Sequence, residues 1–335
     1  MLWALCFVFV GVVLVNLFRV RRVGRETVSG SVSILIPARN EEFTLPACLL
    51  SAVFTSAGEI LVYDDSSEDG TANVVNSAMA RYPRIRLIEG EAVPEGWIGK
   101  AWACQKLADA AKSEWVLFLD AGARISSQGL ERLVAEATRG KLTWLTCLAE
   151  VERPTLAQRV VLPALQFVAA GFAPDFLVQG SCTLVHRATY GLVGGHAAVR
   201  SEIGADLALK RMWLRRGERA ACFDGAGVVK DGGRVEFGGL WAVLRRHLYV
   251  AFPDGVMFGG FLVLAAVCSL MPCWPWLVAL VLLRLGFAFR FRQPLWSALL
   301  HPLAMVFVLC AAVASWREAR APRGVEWKGR RYLVD

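Results

Sequence analysis

The chain has 335 residues, of which 56% are hydrophobic and 20% are charged, and its formal net charge is +8. This composition is too apolar for an ordinary soluble enzyme and too polar for a protein made only of membrane helices. It therefore predicts a soluble domain joined to membrane segments. A basic surface would also suit nucleic acid, but the sequence has no recognition helix, zinc-ligand spacing or RNA-binding signature, so nucleic acid is not expected as a partner.

The chain opens with an apolar segment, from Leu2 to Phe18, which is followed by Arg19, Arg21, Arg22 and Arg25. A cleaved signal peptide carries its positive charge before the apolar run, and here the order is reversed. Residues 1–18 are therefore predicted to be an uncleaved transmembrane anchor. The Arg cluster places the N-terminus outside and the following domain in the cytoplasm.

Residues 31–235 have the pattern of an α/β domain. The predicted strands are 31–36, 59–63, 84–88 and 114–119, and the predicted helices are 42–56, 71–81, 100–112 and 128–138. Strands that alternate with helices form a parallel sheet, and ligands bind at the carboxyl ends of its strands. Polar segments follow Ile36, Tyr63 and Leu119, so all three are expected at that edge.

The segment 236–255 is predicted to be an amphipathic helix lying in the membrane interface, because Leu, Trp and Tyr are mixed there with Arg245, Arg246 and His247. A soluble surface helix is the alternative. The apolar stretch that starts at Val256 favours the interface.

The C-terminal part, 256–316, is predicted to contain membrane helices in three stretches: 256–271, 276–289 and 295–316. The first two are short and are separated by Pro272 and Pro275, which predicts a tight hairpin. Arg284 is costly at mid-bilayer, so it is expected to face protein or to lie near an interface. The basic tail, 317–335, indicates the cytoplasmic side, although three crossings would place it outside, so one stretch is expected to be re-entrant or interfacial.

Two polar segments have side chains suited to a nucleotide: PARNEE at 37–42 and YDDSSEDGT at 63–71. A carboxylate at a strand end can bind a ribose or a base, and Ser, Gly and Thr can open the next helix. Turn chemistry and helix capping explain the same residues. Their expected position at one sheet edge favours a nucleotide.

The chain resembles family 2 glycosyltransferases with the GT-A fold, over roughly residues 31–250. The resemblance rests on an ordered set of segments, which is specific although each one alone is weak: ILIPARNEE, VYDDSSEDGT, GWIGKAWAC, FLDAG, GGHAAVR and ADLALKR. GWIGKAWACQ and GGHAAVR resemble in particular the membrane-bound branch that includes carotenoid-acid and hopanoid-associated glycosyltransferases. The expected fold is therefore α/β of the GT-A type, with N-terminal and C-terminal transmembrane helices.

The resemblance implies a nucleotide-sugar donor and assigns its binding to six residues: Pro37, Arg39, Glu41, Asp65, Lys100 and Asp120. Lys100 would lie near the diphosphate, where a positive charge stabilises the leaving group. Asp120 would be the first Asp of the family's D-x-D motif and would bind Mg²⁺ or Mn²⁺; no organic cofactor is expected. Asp206 would be the general base that takes a proton from the acceptor hydroxyl. The alternative for Lys100 is a solvated Lys at a helix start, and the alternative for Asp206 is an exposed helical Asp.

Two positions depart from the family pattern. The D-x-D motif reads Asp120-Ala-Gly122, so the second metal ligand is missing, and the usual Glu-Asp pair reads Ala205-Asp206. Gly122 predicts a weak requirement for a divalent metal, unless another residue such as His186 or Asp224 replaces the lost ligand.

Two functions fit these features. The favoured one is a membrane-bound inverting glycosyltransferase that moves a sugar from a nucleoside diphosphate donor to a lipid-like acceptor, such as a carotenoid, a hopanoid or another membrane lipid. The alternative is a catalytically degenerate GT-A-fold membrane protein that binds a nucleotide sugar, a lipid or a partner protein. A processive polysaccharide synthase is less favoured, because the sequence has no Gln-x-x-Arg-Trp-type segment.

Overall fold

The computed structural model describes residues 2–172, 180–252, 254–271, 273–321, 325–327 and 330–332. The chain forms two compact units. The sheet unit comprises Arg21–Glu152 and Val178–Gly233, and the helical unit comprises Met1–Val20, Arg153–Leu177 and Arg234–Asp335.

The elements are numbered in chain order. The strands are β1 (Val32–Ala38), β2 (Glu59–Asp64), β3 (Ile85–Glu89), β4 (Trp115–Leu119), β5 (Ala123–Ile125), β6 (Trp144–Leu148), β7 (Glu150–Val151), β8 (Cys182–His186), β9 (Ala220–Asp224), β10 (Val229–Asp231), β11 (Val325–Trp327) and β12 (Arg330–Tyr332). The helices are α1 (Leu2–Arg19), α2 (Leu45–Val53), α3 (Thr71–Arg81), α4 (Gly99–Ala110), α5 (Gly129–Gly140), α6 (Leu156–Phe172), α7 (Arg187–Val193), α8 (Ala205–Arg215), α9 (Phe237–His247), α10 (Gly255–Leu270), α11 (Trp274–Arg290) and α12 (His301–Ala319).

A seven-stranded sheet of order β3-β2-β1-β4-β8-β6-β9 forms the centre of the sheet unit. Strands β1 to β4 pair in parallel, as the alternation of strands and helices predicts. Beyond β4, where no strand was predicted, β8 runs antiparallel to both β4 and β6. A smaller sheet of order β5-β10-β7 completes this unit.

The central strands are buried on both faces. Ile34, Leu35 and Ile36 in β1 are fully buried, and so are Val116 and Leu117 in β4. Such strands have continuous apolar runs rather than alternating ones, because helices cover both sides of the sheet. This explains why β1 and β4 are recognisable from sequence.

Helix α2 is shorter than the predicted helix 42–56, since it begins at Leu45 and ends at Val53. The residues before it form a turn that is tied to the loop after β2. Glu41 N donates to Thr71 Oγ1 at 2.8 Å, and Glu42 N donates to Asp69 Oδ2 at 3.2 Å. These bonds hold the two predicted nucleotide segments together.

The helical unit packs apolar helices against one another. Asn16 in α1 donates to the carbonyl of Ala170 in α6 at 2.6 Å. Helix α6 lies within the range 31–235 predicted as the glycosyltransferase domain, but it belongs to this unit. Arg284 in α11 is buried and donates to Ser297 Oγ at 3.3 Å, so it faces protein as predicted.

One helix of the described residues, α12, is long and apolar enough to cross a membrane. Helices α10 and α11 satisfy the same criterion only as a pair, bent by 104°, and α6 and the segment Trp3–Arg19 of α1 are apolar but shorter. Pro272, where a hairpin break was predicted, lies outside the described residues, and so do parts of the predicted tail 317–335.

Candidate active site

The first corner of the site lies at the carboxyl ends of β1 and β2. Pro37 is the sixth residue of β1 and pairs with Tyr63 in β2. Arg39 Nη1 donates to the carbonyl of Asp65 at 2.8 Å and lies 3.8 Å from Asp65 Oδ2. Asp65 is only 5% exposed, so this ion pair is partly shielded from solvent. Three predicted donor-binding residues therefore meet here.

Glu41 lies between this corner and the end of β4. Its carboxylate accepts a hydrogen bond from Thr44 Oγ1, and its negative charge is one of the causes that raise the pKa of Asp120. The side chain is thus close enough to Asp120 to act on it electrostatically. The structure brings Glu41 to the same sheet edge as the other predicted residues.

The second corner is formed by Lys100, Asp120 and Asp206, which we call the Lys100 cluster. Lys100 Nζ lies 3.0 Å from Asp120 Oδ1 and 3.4 Å from Asp206 Oδ2. Lys100 is in the first turn of α4, Asp120 follows β4, and Asp206 is in the first turn of α8. Asp120 and Asp206, which are 86 positions apart in the chain, thus share one cation.

The pKa of Lys100 lies well above its ordinary value. Burial lowers it, but the charges of Asp120 and Asp206 raise it more. A positive charge at a helix N-terminus is otherwise unfavourable, because the helix dipole is positive there. The two carboxylates therefore hold Lys100 as a charged ammonium.

The two carboxylates differ in pKa although both contact Lys100. Burial raises the pKa of Asp120, and Lys100 opposes this only in part, so the pKa stays above its usual value. Burial also acts on Asp206, but Lys100 and His196 together outweigh it and hold the pKa well below its usual value. Lys100 and His196 therefore favour the ionised form of Asp206, which is the form that can accept a proton.

His196 is a buried residue that lies beside Asp206. Its ring is 2% exposed, Nε2 lies 3.9 Å from Asp206 Oδ1, and Nδ1 lies 2.8 Å from Tyr190 Oη. The Tyr190 hydroxyl also accepts a hydrogen bond from His196 N at 2.9 Å and lies 3.2 Å from Gln105 Oε1. Sequence reasoning assigned no role to these residues; the only signal was the presence of His196 in the GGHAAVR segment.

Gly180 packs directly behind Asp206. A Cβ placed on Gly180 would collide with the Asp206 carboxylate. A Cβ at this place would require the Asp206 carboxylate to shift, so the backbone before β8 helps to define the position of that carboxylate. This residue too was missed from the sequence.

The side-chain oxygens at the end of β4 are suited to bind a hard divalent cation. Asp120 offers a carboxylate, and Mg²⁺ commonly uses one or two carboxylates together with substrate phosphates and water. Within the described part of the chain, no group of three or more His, Cys, Asp and Glu side chains could hold an ion alone. An ion there would depend on a diphosphate for further oxygens.

Neither His186 nor Asp224 can replace the ligand that Gly122 lacks. His186 pairs with Trp115 at the start of β4, whereas Asp120 follows its end. Asp224 ends β9, which is three strands away from β4 in the sheet. The suggestion that one of them serves as the second ligand is wrong, because the sheet keeps both away from Asp120.

A largely parallel sheet that collects acidic and basic side chains at the carboxyl edge of its strands is consistent with the GT-A class of glycosyltransferases. Residues 33–163 match the family described as Glycosyl transferase family 2, and this part of the chain is a family 2 glycosyltransferase domain. The family inferred from the ordered motifs is thereby confirmed.

Two known proteins are similar to this chain. It is 27% identical over 211 residues to a 4,4'-diaponeurosporenoate glycosyltransferase of Staphylococcus haemolyticus (strain JCSC1435); the match covers 59% of this chain and 56% of that protein, or just over half its length. A mannosyltransferase from Pyrobaculum calidifontis, solved in complex with GDP-Man and Mn²⁺, is similar with a TM-score of 0.59 and 19% identity, covering 95% of this chain and 98% of that one. At that identity the likeness shows a shared fold alone.

Proposed function

We propose that the chain is a membrane-bound inverting glycosyltransferase, which moves a sugar from a nucleoside diphosphate donor to a lipid-like acceptor. The observation that carries this proposal is the position of Lys100 between Asp120 and Asp206, at 3.0 and 3.4 Å. A sugar transfer needs a cation for the departing diphosphate and a base for the acceptor. In the Lys100 cluster the cation, Lys100, and the candidate base, Asp206, lie 3.4 Å apart.

In the proposed reaction, the acceptor hydroxyl attacks the anomeric carbon while its proton passes to Asp206. The bond between that carbon and the diphosphate oxygen breaks on the opposite face, which inverts the configuration. Lys100 stabilises the negative charge that develops on the diphosphate. Mg²⁺ or Mn²⁺ held at Asp120 would add Lewis-acid neutralisation of the same charge.

The nucleotide is assigned to the first corner. Asp65, held by Arg39, would accept hydrogen bonds from the ribose or the base, and Pro37 and Glu41 would line the same pocket. The mannosyltransferase of the same fold was solved with GDP-Man, which supports a nucleotide-sugar donor as the class of substrate. The sugar itself is left open by these contacts.

The acceptor is assigned to the membrane because the helical unit exposes large apolar side chains. Phe18 is 83% exposed, Val256 85% and Phe289 80%. Large apolar side chains that face solvent would lose unfavourable hydration on contact with a lipid bilayer. The relative named as acting on 4,4'-diaponeurosporenoate supports a lipid-like acceptor. With the Arg cluster after α1, this favours a multi-pass membrane protein whose catalytic domain is cytoplasmic.

The deciding experiment incubates membranes that contain the full chain with labelled nucleotide sugars, followed by lipid extraction. If labelled lipid forms with the parent protein and not with an Asp206→Asn control, the result supports glycosyltransferase activity toward a lipid-like acceptor. Donor binding without transfer would support the degenerate alternative, for which Gly122 and Ala205 are the motivation.

The orientation has its own test. An engineered Cys near Asp65 should resist an impermeant thiol reagent in intact cells and react after permeabilisation, with the parent protein as background control. Labelling in intact cells would contradict the cytoplasmic placement.

A further inference from the structure

The space that a side chain at position 122 would enter faces another carboxylate. An ideal Cβ on Gly122 would lie 4.0 Å from Asp231 Oδ1 and would meet nothing closer. The two backbones are locked together, since Asp231 pairs with Ala123 and Gly232 N donates to the carbonyl of Gly122 at 3.0 Å. Asp231 therefore presents its carboxylate where the second acidic side chain of a D-x-D motif would point.

The Asp231 carboxylate is only partly used within the protein. Oδ1 accepts a hydrogen bond from Gly233 N at 2.9 Å, and Oδ2 has no partner among the residues that the structure describes. The nearest basic side chain on β5, Arg124, is ion-paired with Glu152. One oxygen of Asp231 thus remains available for a ligand.

Asp120 also lies close enough to Asp231 to act on it electrostatically. Burial raises the pKa of Asp231, and the charge of Asp120 raises it further. A carboxylate whose charge is disfavoured by a neighbouring carboxylate is stabilised by a cation placed between the two. Among the described residues, Lys100 supplies a positive charge to Asp120 Oδ1 but forms no ion pair with Asp231.

We propose that Asp231 supplies the second protein carboxylate for a divalent cation that is shared with the donor diphosphate, in place of the side chain that Gly122 lacks. Asp120 and Asp231 would each give an oxygen, and the diphosphate and water would give the others, a set that Mg²⁺ and Mn²⁺ accept. The proposal rests on the proposed function for its diphosphate. It replaces the expectation of a weak metal requirement, which followed from Gly122 alone.

The test is a Mn²⁺ titration of the purified full-length chain, in which electron paramagnetic resonance reports the free ion, in the presence of UDP and, separately, of GDP. Asp231→Asn should weaken Mn²⁺ binding with the preferred nucleotide by at least about 10-fold, because loss of even an outer-shell partner of a metal ligand commonly costs about 10–100-fold in affinity. Asn keeps an oxygen to accept from Gly233 N, so the fold should persist, and a thermal melt checks this.

Two further variants make the test specific. Gly122→Asp combined with Asp231→Asn should restore much of the Mn²⁺ affinity, because a carboxylate returns to the same space from the other strand. Glu150→Gln is the matched control: Glu150 lies in β7, opposite Lys230, so it faces away from Asp231 by strand alternation, and Mn²⁺ binding should not change.

Two results would overturn the proposal: unchanged Mn²⁺ affinity in Asp231→Asn, or no Mn²⁺ binding by the parent with either nucleotide. If sugar transfer is retained in those cases, the proposed function stands and only the role of Asp231 falls. If Mn²⁺ binding depends on Asp231 but no sugar transfer is detected, the proposed glycosyltransferase activity is contradicted and the proposed metal site is supported.

Discussion

His196 Nε2 lies 3.9 Å from Asp206 Oδ1, on the carboxylate oxygen opposite to the one that Lys100 approaches. The carboxylate is therefore oriented from two sides by groups that favour its ionised form. His196 is in turn fixed by Tyr190, whose hydroxyl contacts both the ring and the backbone of His196. A base held in this way needs little reorganisation when the acceptor arrives, which is the usual benefit of preorganisation.

Asp206→Asn should abolish most transfer while leaving donor binding nearly unchanged. The amide keeps the shape of the side chain but cannot take the acceptor's proton, and loss of a positioned base costs about 10²–10⁴ in rate. Steady-state transfer and nucleotide binding are measured side by side. Transfer at the parent rate would show that the base lies elsewhere or that the acceptor is a carboxylate that needs none.

His196→Leu should move the acid limb of the pH–rate profile to higher pH. Because His196 lowers the pKa of Asp206, the parent carboxylate stays ionised at a pH below its ordinary value. Without His196 that pKa rises, so protonation removes the base at a higher pH, with Lys100, Asp120 and Tyr190 still in place. His196→Gln keeps a donor and should recover most of the parent profile.

The control for this series is His186→Gln, because His186 contacts Glu114 at the other end of β4 and not the Lys100 cluster. Its profile should match the parent. An unchanged profile in His196→Leu would mean that His196 only fills space.

Lys100→Ala should lower kcat/KM for the donor by about 10²–10³, the usual effect of removing one group that stabilises a developing negative charge. Lys100→Arg should retain part of the activity because it keeps the charge. Lys106→Ala is the matched control: Lys106 is on the same helix but pairs with Glu91. Equal losses in the Lys100 and Lys106 variants would show a general effect of α4 rather than a role for the cluster.

Gly180→Ala should impair transfer without loss of nucleotide binding. Its Cβ would collide with the Asp206 carboxylate and push it out of place, and a displacement of about 1 Å can cost about 10² in rate. Gly191→Ala serves as the control, since a Cβ there meets nothing within 4 Å. A Gly180→Ala enzyme with parent activity would show that Asp206 tolerates displacement.

Much of the sheet edge was predictable from sequence because its signals are local. The apolar runs of β1, β2 and β4 are followed by polar segments within a few residues, and parallel strands bring those segments to one edge. The resemblance to family 2 glycosyltransferases then pointed to Lys100, Asp120 and Asp206, and the structure places these three side chains together. Their chemical roles remain predictions.

The remaining features depend on which distant segments meet, and no local pattern encodes that. Helix α6 has the composition of an ordinary core helix, and its packing against α1 and α12 assigns it to the helical unit. Strand β8 pairs antiparallel with β4, and this pairing sets the position of Gly180 behind Asp206. The pairing of β5 with β10 brings Asp231 next to Gly122, although more than 100 residues separate them in the chain. The sequence by itself determined the family, the early strands and the edge at which the site lies. The tertiary structure alone decided which side chains face Asp206 and Gly122, because a side chain's neighbours are set by strand pairing and helix packing between segments that are far apart in the chain.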